Sequence, residues 1–305
     1  MLSSCGRQTV LEDTDPRVKE LLKEMTLDEK FGQMVLFTSD WDVTGPTIHE
    51  GYLSDIRNGR CGNVFNAYTT DYIRELQRVA VEESRLGIPL MFGYDVVHGH
   101  KTIFPVPLAE SCSWDLELIQ TSASVAAAEA AASGLNWTFA PMVDISVDPR
   151  WGRVCEGACE DPYLGSLIAA ARVKGFQGKN LADTLSVLAC VKHFAGYGAP
   201  LAGRDYNAVD MSERTFRDIY LPPYKAGVDA GALSVMTAFN EYDGVPATGN
   251  AYLLKDVLKK QWDFQGFVVT DYTSINEMVH HGVASDEAEA GVLAVNAGVD
   301  LRNMW

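Results

Sequence analysis

Short apolar runs alternate with longer amphipathic segments along most of this chain. The apolar runs are rich in β-branched and aromatic residues, which is typical of buried strands. They predict strands at Met34–Phe37, Gly62–Asn66, Pro89–Tyr94, Thr138–Asp144, Val187–His193, Ser234–Asn240, Phe267–Asp271 and Gly298–Leu301. Helical periodicity between them predicts helices at Tyr72–Ser84, Leu116–Ser133, Tyr163–Gln177, Glu213–Ala230, Tyr252–Gln261, Ile275–His280 and Asp286–Val295. This alternation predicts a parallel sheet built from βα units.

Two further helices are predicted ahead of the first strand. Asp15 is a good N-cap and Pro16 suits the first helical position. Thr26 and Glu29 have the spacing of a capping box, which predicts a second, short helix.

Eight βα units in one chain predict the α/β class and a (β/α)₈ TIM-type barrel, with irregularity allowed in the first units. We expect residues 14–305 to form this barrel and residues 1–13 to be a flexible N-terminal segment. A doubly wound open sheet is the alternative. No Gly-x-Gly-x-x-Gly follows any predicted strand, so a dinucleotide fold lacks its main signature.

Composition narrows the function classes. The 305 residues are 47% hydrophobic, which is enough for one large core, and the net charge is −16. Such an acidic surface repels polyanions and disfavours a nucleic-acid partner, whereas neutral sugars are not disfavoured. No run of 18 apolar residues occurs, so the sequence predicts no membrane span.

The first residues resemble the end of a bacterial lipoprotein signal. Leu2-Ser3-Ser4-Cys5-Gly6 places a cysteine where lipidation would occur, although the charged and apolar regions that precede such a site are missing. We therefore expect an exported protein, periplasmic or anchored by a lipid at Cys5. The alternative is a chance match in a cytoplasmic chain.

The Cys155/Cys159 pair is too little evidence for zinc, and no metal site is predicted.

Polar residues follow several predicted strands where each strand ends. They are Asp95, His98, Asp144, Lys192, His193, Asn240 and Asp271. In a (β/α)₈ barrel these ends converge on the face that carries the active site. Carboxylates and cations held there suit the hydroxyls of a neutral sugar. A carboxylate such as Asp271 could attack an anomeric carbon, but the pattern alone equally permits a helix cap.

Several longer motifs occur along the chain in the same order as in a known protein family. They include Met25-Thr26-Leu27-Asp28-Glu29-Lys30, Asp95-Val96-Val97-His98-Gly99, Phe104-Pro105-Val106-Pro107-Leu108, Phe139-Ala140-Pro141-Met142-Val143-Asp144, Asp148-Pro149-Arg150-Trp151-Gly152-Arg153, Glu160-Asp161-Pro162-Tyr163, Val191-Lys192-His193-Phe194, Gly203-Arg204-Asp205-Tyr206-Asn207, Met236-Thr237-Ala238-Phe239-Asn240 and Gly266-Phe267-Val268-Val269-Thr270-Asp271. The chain resembles the N-terminal domain of glycoside hydrolase family 3, of the bacterial periplasmic β-glucosidase type.

The resemblance implies an activity and a set of site residues. Asp271 matches the catalytic nucleophile of a retaining enzyme, which hydrolyses terminal non-reducing β-D-glucosyl residues through a covalent glycosyl-Asp intermediate. Asp95, Arg153, Lys192 and His193 match residues that grip the sugar; Met236 and Tyr272 complete the predicted substrate-binding set. The implied partner is a β-glucoside or oligosaccharide, and no cofactor or metal is implied.

The chain also departs from the family pattern. The resemblance implies that the acid/base comes from a sandwich domain after the barrel, whereas this sequence stops at Trp305. We therefore expect weak or no activity from the barrel alone, and self-association through the uncovered interface.

Tyr197 stands where single-domain β-N-acetylhexosaminidases have a catalytic His. Arg302 and Asn303 occupy a region where relatives have an acidic residue. The alternatives are a sugar-binding module without turnover and, less favoured, such a hexosaminidase.

Overall fold

The structure, a computed structural model, describes residues 15–42, 45–47, 50–206 and 208–304. The predicted flexible segment and the predicted lipid anchor at Cys5 both lie outside these ranges. The helices are α1 (Pro16–Glu24), α2 (Leu27–Gln33), α3 (Glu50–Arg57), α4 (Thr70–Arg78), α5 (Pro107–Ser111), α6 (Leu116–Ala132), α7 (Pro162–Gln177), α8 (Glu213–Thr215), α9 (Pro222–Asp229), α10 (Ser274–His280) and α11 (Glu287–Ala297). π-Helical segments cover Val79–Glu83, Phe216–Tyr220 and Tyr252–Gln261.

Twelve strands occur in the described residues. They are β1 (Val35–Thr38), β2 (Asp40–Asp42), β3 (Gly45–Thr47), β4 (Asn63–Phe65), β5 (Met91–Tyr94), β6 (Trp137–Thr138), β7 (Cys190–Phe194), β8 (Ser234–Thr237), β9 (Glu241–Tyr242), β10 (Val245–Pro246), β11 (Phe267–Val269) and β12 (Arg302–Met304). The pairs β2–β3 and β9–β10 are short antiparallel hairpins in connecting segments.

The other eight strands are all parallel and follow one another in ring order. One sheet has the order β12-β1-β4-β5-β6 and a second has the order β11-β8-β7. Single parallel bridges, Trp137 with Leu188 and Val269 with Leu301, join the two sheets on both sides. This arrangement is the α/β, TIM-type architecture predicted from the sequence.

The inside of the ring is a small apolar core. Every strand of the ring, or the residue beside it, contributes a side chain: Leu36, Phe65, Met91, Trp137, Cys190, Met236, Val269 and Leu301. A larger core fills the space between the strands and the helices, because alternate strand residues face outward. Ser234 accepts a 2.8 Å hydrogen bond from the Trp137 indole across the barrel, which satisfies the buried N–H.

Both predicted N-caps ahead of β1 are confirmed. The Asp15 carboxylate accepts a hydrogen bond from the backbone N–H of Arg17, at 2.8 Å. Thr26 and Glu29 form the reciprocal capping box at the start of α2. The charge of Glu29 is held by Arg85, whose hydrogen bond lowers the pKa of that carboxyl to about 2.

Three predicted elements have different boundaries. The strand predicted over Thr138–Asp144 ends at Thr138 as a regular ladder, and Met142 retains a single bridge to Lys192. The last strand was predicted at Gly298–Leu301 but lies at Arg302–Met304, because Gly298 adopts a left-handed conformation that ends α11. The predicted long helix over Glu213–Ala230 is divided near Pro222, which has no N–H to continue the helix.

Candidate active site

All the residues predicted for the site line one cavity of about 310 Å³. They are Asp95, Arg153, Lys192, His193, Met236, Asp271 and Tyr272. The cavity lies at the carboxyl ends of the parallel strands, where barrel enzymes carry their active sites. Residues far apart in sequence come together because the strands that carry or precede them, β5, β7, β8 and β11, end at this face, and Arg153 reaches it from the loop after β6.

The Asp271 carboxylate is held at the end of β11. Its Oδ1 accepts a 2.6 Å hydrogen bond from the backbone N–H of Tyr272, while Oδ2 is buried without a hydrogen-bond partner. Helix α10 begins at Ser274 with Thr273 at its N-cap, and the Asp271 side chain makes no hydrogen bond to this helix. Burial raises the pKa of Asp271 to about 7, against the opposing effects of Lys192 and the Tyr272 N–H. A helix-capping role is therefore not what the geometry supports.

A buried lysine is paired with a carboxylate in the cavity wall. Lys192 Nζ lies 2.8 Å from Asp95 Oδ1, and the lysine side chain is 5% exposed while that of Asp95 is 45% exposed. Burial lowers the pKa of Lys192, but Asp95 and Asp271 outweigh burial and raise it. The lysine therefore stays protonated and presents a fixed positive charge beside Asp271.

Arg153 is fixed by an acidic residue that the sequence analysis did not select. Glu156 accepts two hydrogen bonds from the Arg153 guanidinium, at 2.7 and 2.9 Å. The guanidinium also lies 5.4 Å from the centre of the Tyr197 ring. This bidentate pair holds the planar group in one orientation at the cavity wall.

His193 is positioned by a network behind the cavity. Its Nδ1 and its backbone N–H both lie 2.9 Å from Asp144 Oδ2. The Tyr224 hydroxyl contacts Asp144 Oδ1 and lies 2.6 Å from the carbonyl oxygen of His193. Burial raises the pKa of Asp144 to about 6, although the bonds from Tyr224 and the His193 N–H oppose this.

These contacts fix the protonation of the imidazole. Burial lowers the pKa of His193 well below its ordinary value, and the positive charges of Arg153 and Lys192 lower it further. The neutral ring donates from Nδ1 to Asp144, so that Nε2 accepts from Arg153 at 3.2 Å. Nε2 also lies 3.4 Å from Asp271 Oδ2, without a hydrogen bond between them.

Besides Asp144, which lies behind the cavity, two polar residues at predicted strand ends do not line it. His98 Nδ1 contacts the carbonyl oxygen of Phe104 within its own loop, at 3.0 Å. The Asn240 amide donates to the carbonyl oxygens of Ala195 and Glu241. The His98 side chain therefore organises its own loop, and the Asn240 side chain joins the backbone of two segments.

The cavity also contains residues that the sequence analysis missed as site residues: Phe65, Val97, Phe139, Glu156 and Asn303. Glu156 lies three residues after Arg153, and this spacing for an ion pair was the one signal available. The apolar members follow strand alternation, which does not distinguish a cavity wall from a core.

Among the described residues, no group of three or more His, Cys, Asp or Glu side chains is placed to hold a metal ion. Over the same ranges, none of the helices has the length and apolar character needed to cross a bilayer.

A parallel barrel with paired acidic and basic residues at the carboxyl ends of its strands belongs to the general class of βα-barrel enzyme folds. The chain matches the model described as the glycosyl hydrolase family 3 N terminal domain over residues 24–305, and it belongs to this family.

Relatives and solved structures agree with this assignment. The chain is 48% identical to the periplasmic beta-glucosidase of Salmonella typhimurium over 95% of its own length and 37% of that protein. It is 35% identical to a beta-xylosidase of Formosa agariphila, with 95% and 36% covered. A Listeria innocua beta-glucosidase variant in complex with laminaribiose superposes with a TM-score of 0.88 at 40% identity, covering 95% of this chain and 42% of that one. The chain thus spans about two fifths of the length of these relatives.

Proposed function

We propose that this chain is the barrel of a retaining β-glycosidase in which Asp271 attacks the anomeric carbon of a terminal β-glucosyl residue. The observation that carries the proposal is the Asp271 carboxylate, which lines the cavity beside the cations Lys192 and Arg153 and whose buried Oδ2 has no hydrogen-bond partner. Attack of this carboxylate on an electrophilic carbon bound in the cavity would form the covalent glycosyl–Asp intermediate of a retaining mechanism.

The surrounding side chains suit a neutral sugar. On one wall, Asp95 presents an acceptor and Lys192 presents a donor. Near Asp271, Arg153 presents donor groups and His193 presents a ring nitrogen. Charge-assisted hydrogen bonds to hydroxyl groups are stronger than neutral ones, so each contact favours a polyol. The names of the Salmonella and Listeria relatives support a β-glucoside substrate. The Formosa beta-xylosidase keeps β-xylosides as the second substrate class.

The general acid is proposed to come from outside these residues. The cavity contains three carboxylates: Asp95, Glu156 and Asp271. Asp95 is paired with Lys192 and Glu156 is paired with Arg153, so neither is poised to protonate a leaving group. Tyr197, which stands where hexosaminidases have a histidine, is buried and donates to Asp205 at 2.6 Å. We therefore propose that the barrel alone is weak on substrates with poor leaving groups.

We also propose that the native protein is exported to the periplasm, as the name of its Salmonella relative suggests.

Covalent trapping tests the proposal. A 2-deoxy-2-fluoro-β-glucoside with a dinitrophenyl leaving group needs little acid help, so we expect one label per chain, located by mass spectrometry on the peptide that contains Asp271. Asp271→Asn should take no label. Asp256→Asn, a change in a surface ion pair, is its matched control and should still be labelled. Glucose binding measured by calorimetry, without any label, would instead support a sugar-binding module and reject the enzyme proposal.

The labelling rate should depend on pH. Only the ionised carboxylate attacks, and burial raises the pKa of Asp271 to about 7. We therefore expect the second-order labelling rate to rise between about pH 6 and pH 8 and then level off. A rate that is already constant from pH 5 upward would contradict a desolvated nucleophile.

A further inference from the structure

Asn303 is a polar residue in the wall of the Asp271 cavity. Just before β12, Leu301 belongs to the inner core, and the Arg302 side chain on β12 points to Asn276 and Glu287 at the helix layer. Asn303 follows in strand alternation and faces the interior, where it lines the cavity. Its backbone N–H donates to Thr270 Oγ1 at 2.9 Å, so the strand is anchored to the residue that precedes Asp271.

The Asn303 side chain is buried and incompletely satisfied. The residue is 7% exposed, and its Oδ1 has no hydrogen-bond partner. The wall around it includes the apolar side chains of Phe65, Phe139 and Met236. A buried amide acceptor without a partner costs stability, and an apolar side chain of similar volume would avoid that cost. The fold alone therefore gives no reason for an amide at this position.

We propose that Asn303 is a substrate-binding residue that selects the sugar by hydrogen bonding one of its hydroxyl groups. An amide both donates and accepts, and a hydroxyl group does the same, so the pair is complementary without a net charge. A site built around such a contact discriminates against an analogue that lacks the hydroxyl group, because the amide is then left unsatisfied. The inference rests on the proposed function, since it places the bound sugar in the Asp271 cavity.

The test pairs a side-chain deletion with hydroxyl deletions. Asn303→Leu removes the amide at similar volume, and Asn58→Leu, in an exposed segment outside the cavity, is the matched control. The substrates are dinitrophenyl β-glucoside, its 2-, 3-, 4- and 6-deoxy analogues and the β-xyloside. The readout is the initial release of dinitrophenol, which reports the glycosylation step and needs little acid help.

We expect Asn303→Leu to lower kcat/KM on the glucoside by about 10-fold or more, and to have almost no effect on any substrate that lacks the partner hydroxyl group. Asn58→Leu should match the parent on every substrate. An unchanged kcat/KM together with a raised Tm would show a merely structural amide and overturn the inference. Equal losses on all the substrates would also overturn it, because no single hydroxyl group would then be recognised.

Calorimetry separates this inference from the proposed function. If the parent releases no dinitrophenol but binds glucose, catalysis has failed as a proposal, and weaker glucose binding by Asn303→Leu still supports the contact. If the parent and the variant bind glucose equally, Asn303 has no role in recognition. If the parent neither reacts nor binds glucose, both proposals fail. Asn303→Met provides a second variant if the leucine does not fit the wall.

Discussion

Asp271→Asn should abolish covalent labelling and lower the turnover of activated aryl β-glucosides by about 10⁴-fold or more, as loss of a nucleophile does in other covalent mechanisms. The amide has nearly the shape of the carboxylate and keeps an oxygen for the Tyr272 N–H. It is neutral, however, and does not attack an anomeric carbon. The measurements are the initial rate with dinitrophenyl β-glucoside and the mass of the protein after treatment with the fluoro sugar.

The same substitution should stabilise the fold at alkaline pH. Burial raises the pKa of Asp271 from 3.8 to about 7, so the folded protein binds a proton that the unfolded chain has released between those values. Stability contributed by this group is therefore full below about pH 4 and falls as the pH rises towards 7. Each pKa unit corresponds to about 1.4 kcal/mol, which makes the penalty a few kcal/mol at pH 8. Asparagine carries no such penalty.

Thermal unfolding at two pH values checks the sign. We expect Asp271→Asn to raise Tm clearly at pH 8 and much less at pH 5, where the native carboxyl is largely protonated. Asp256→Asn, at an exposed ion pair, should show neither the pH-dependent gain nor the loss of labelling. A variant that keeps full turnover would remove Asp271 from the nucleophile's role. A Tm gain that is larger at pH 5 than at pH 8 would contradict the desolvated carboxyl.

The alternation of strands and helices predicted the barrel, and the polar residues at strand ends predicted most of the cavity, because parallel strands bring their carboxyl ends to one face. The location of Lys192, His193 and Asp271 followed from this pattern alone, whereas the role of Asp271 needed the family motif. Arg153 lies in a loop with no preceding ladder, so only the family motif around it indicated a role. The boundary error at Gly298–Leu301 arose because apolar content does not mark the point where a left-handed glycine ends a helix.

The positions of Asn303 and Asp144 relative to the cavity could not be predicted from the sequence, for one physical reason. Asn303 was noticed as a departure from the family pattern, but its direction depends on the register of β12 against β1, which a one-residue shift would reverse. Asp144 was noticed as a strand-end carboxylate, but nothing local shows that it lies behind the cavity with Tyr224, which is eighty residues away along the chain. Contacts between distant segments set both roles.

Asp144→Asn should be the most damaging substitution outside the cavity wall. Asp144 accepts from the His193 N–H and Nδ1 and contacts the Tyr224 hydroxyl, all in a fully buried position. Asparagine has one oxygen for these donors, and its own N–H₂ group must face at least one of them. Because unsatisfied buried groups are costly, we expect a loss of about 2–5 kcal/mol in the free energy of unfolding, measured with urea.

The functional consequence is a change of imidazole tautomer. Without the Asp144 carboxylate as acceptor for Nδ1, the proton of His193 is free to move to Nε2. In the native structure the Arg153 guanidinium donates to Nε2 at 3.2 Å, so a proton on Nε2 would oppose that donor. The ring and Arg153 must then separate beside Asp271, and such misplacement of positioning groups costs about 10²-fold in the labelling rate. Tyr224→Phe is the matched control. It removes one hydroxyl but keeps the carboxylate, so ¹⁵N NMR should still show a proton on Nδ1 and the stability loss should be about 1 kcal/mol. If Asp144→Asn keeps both the Nδ1 proton and the native labelling rate, the carboxylate does not set the tautomer, and packing alone orients His193.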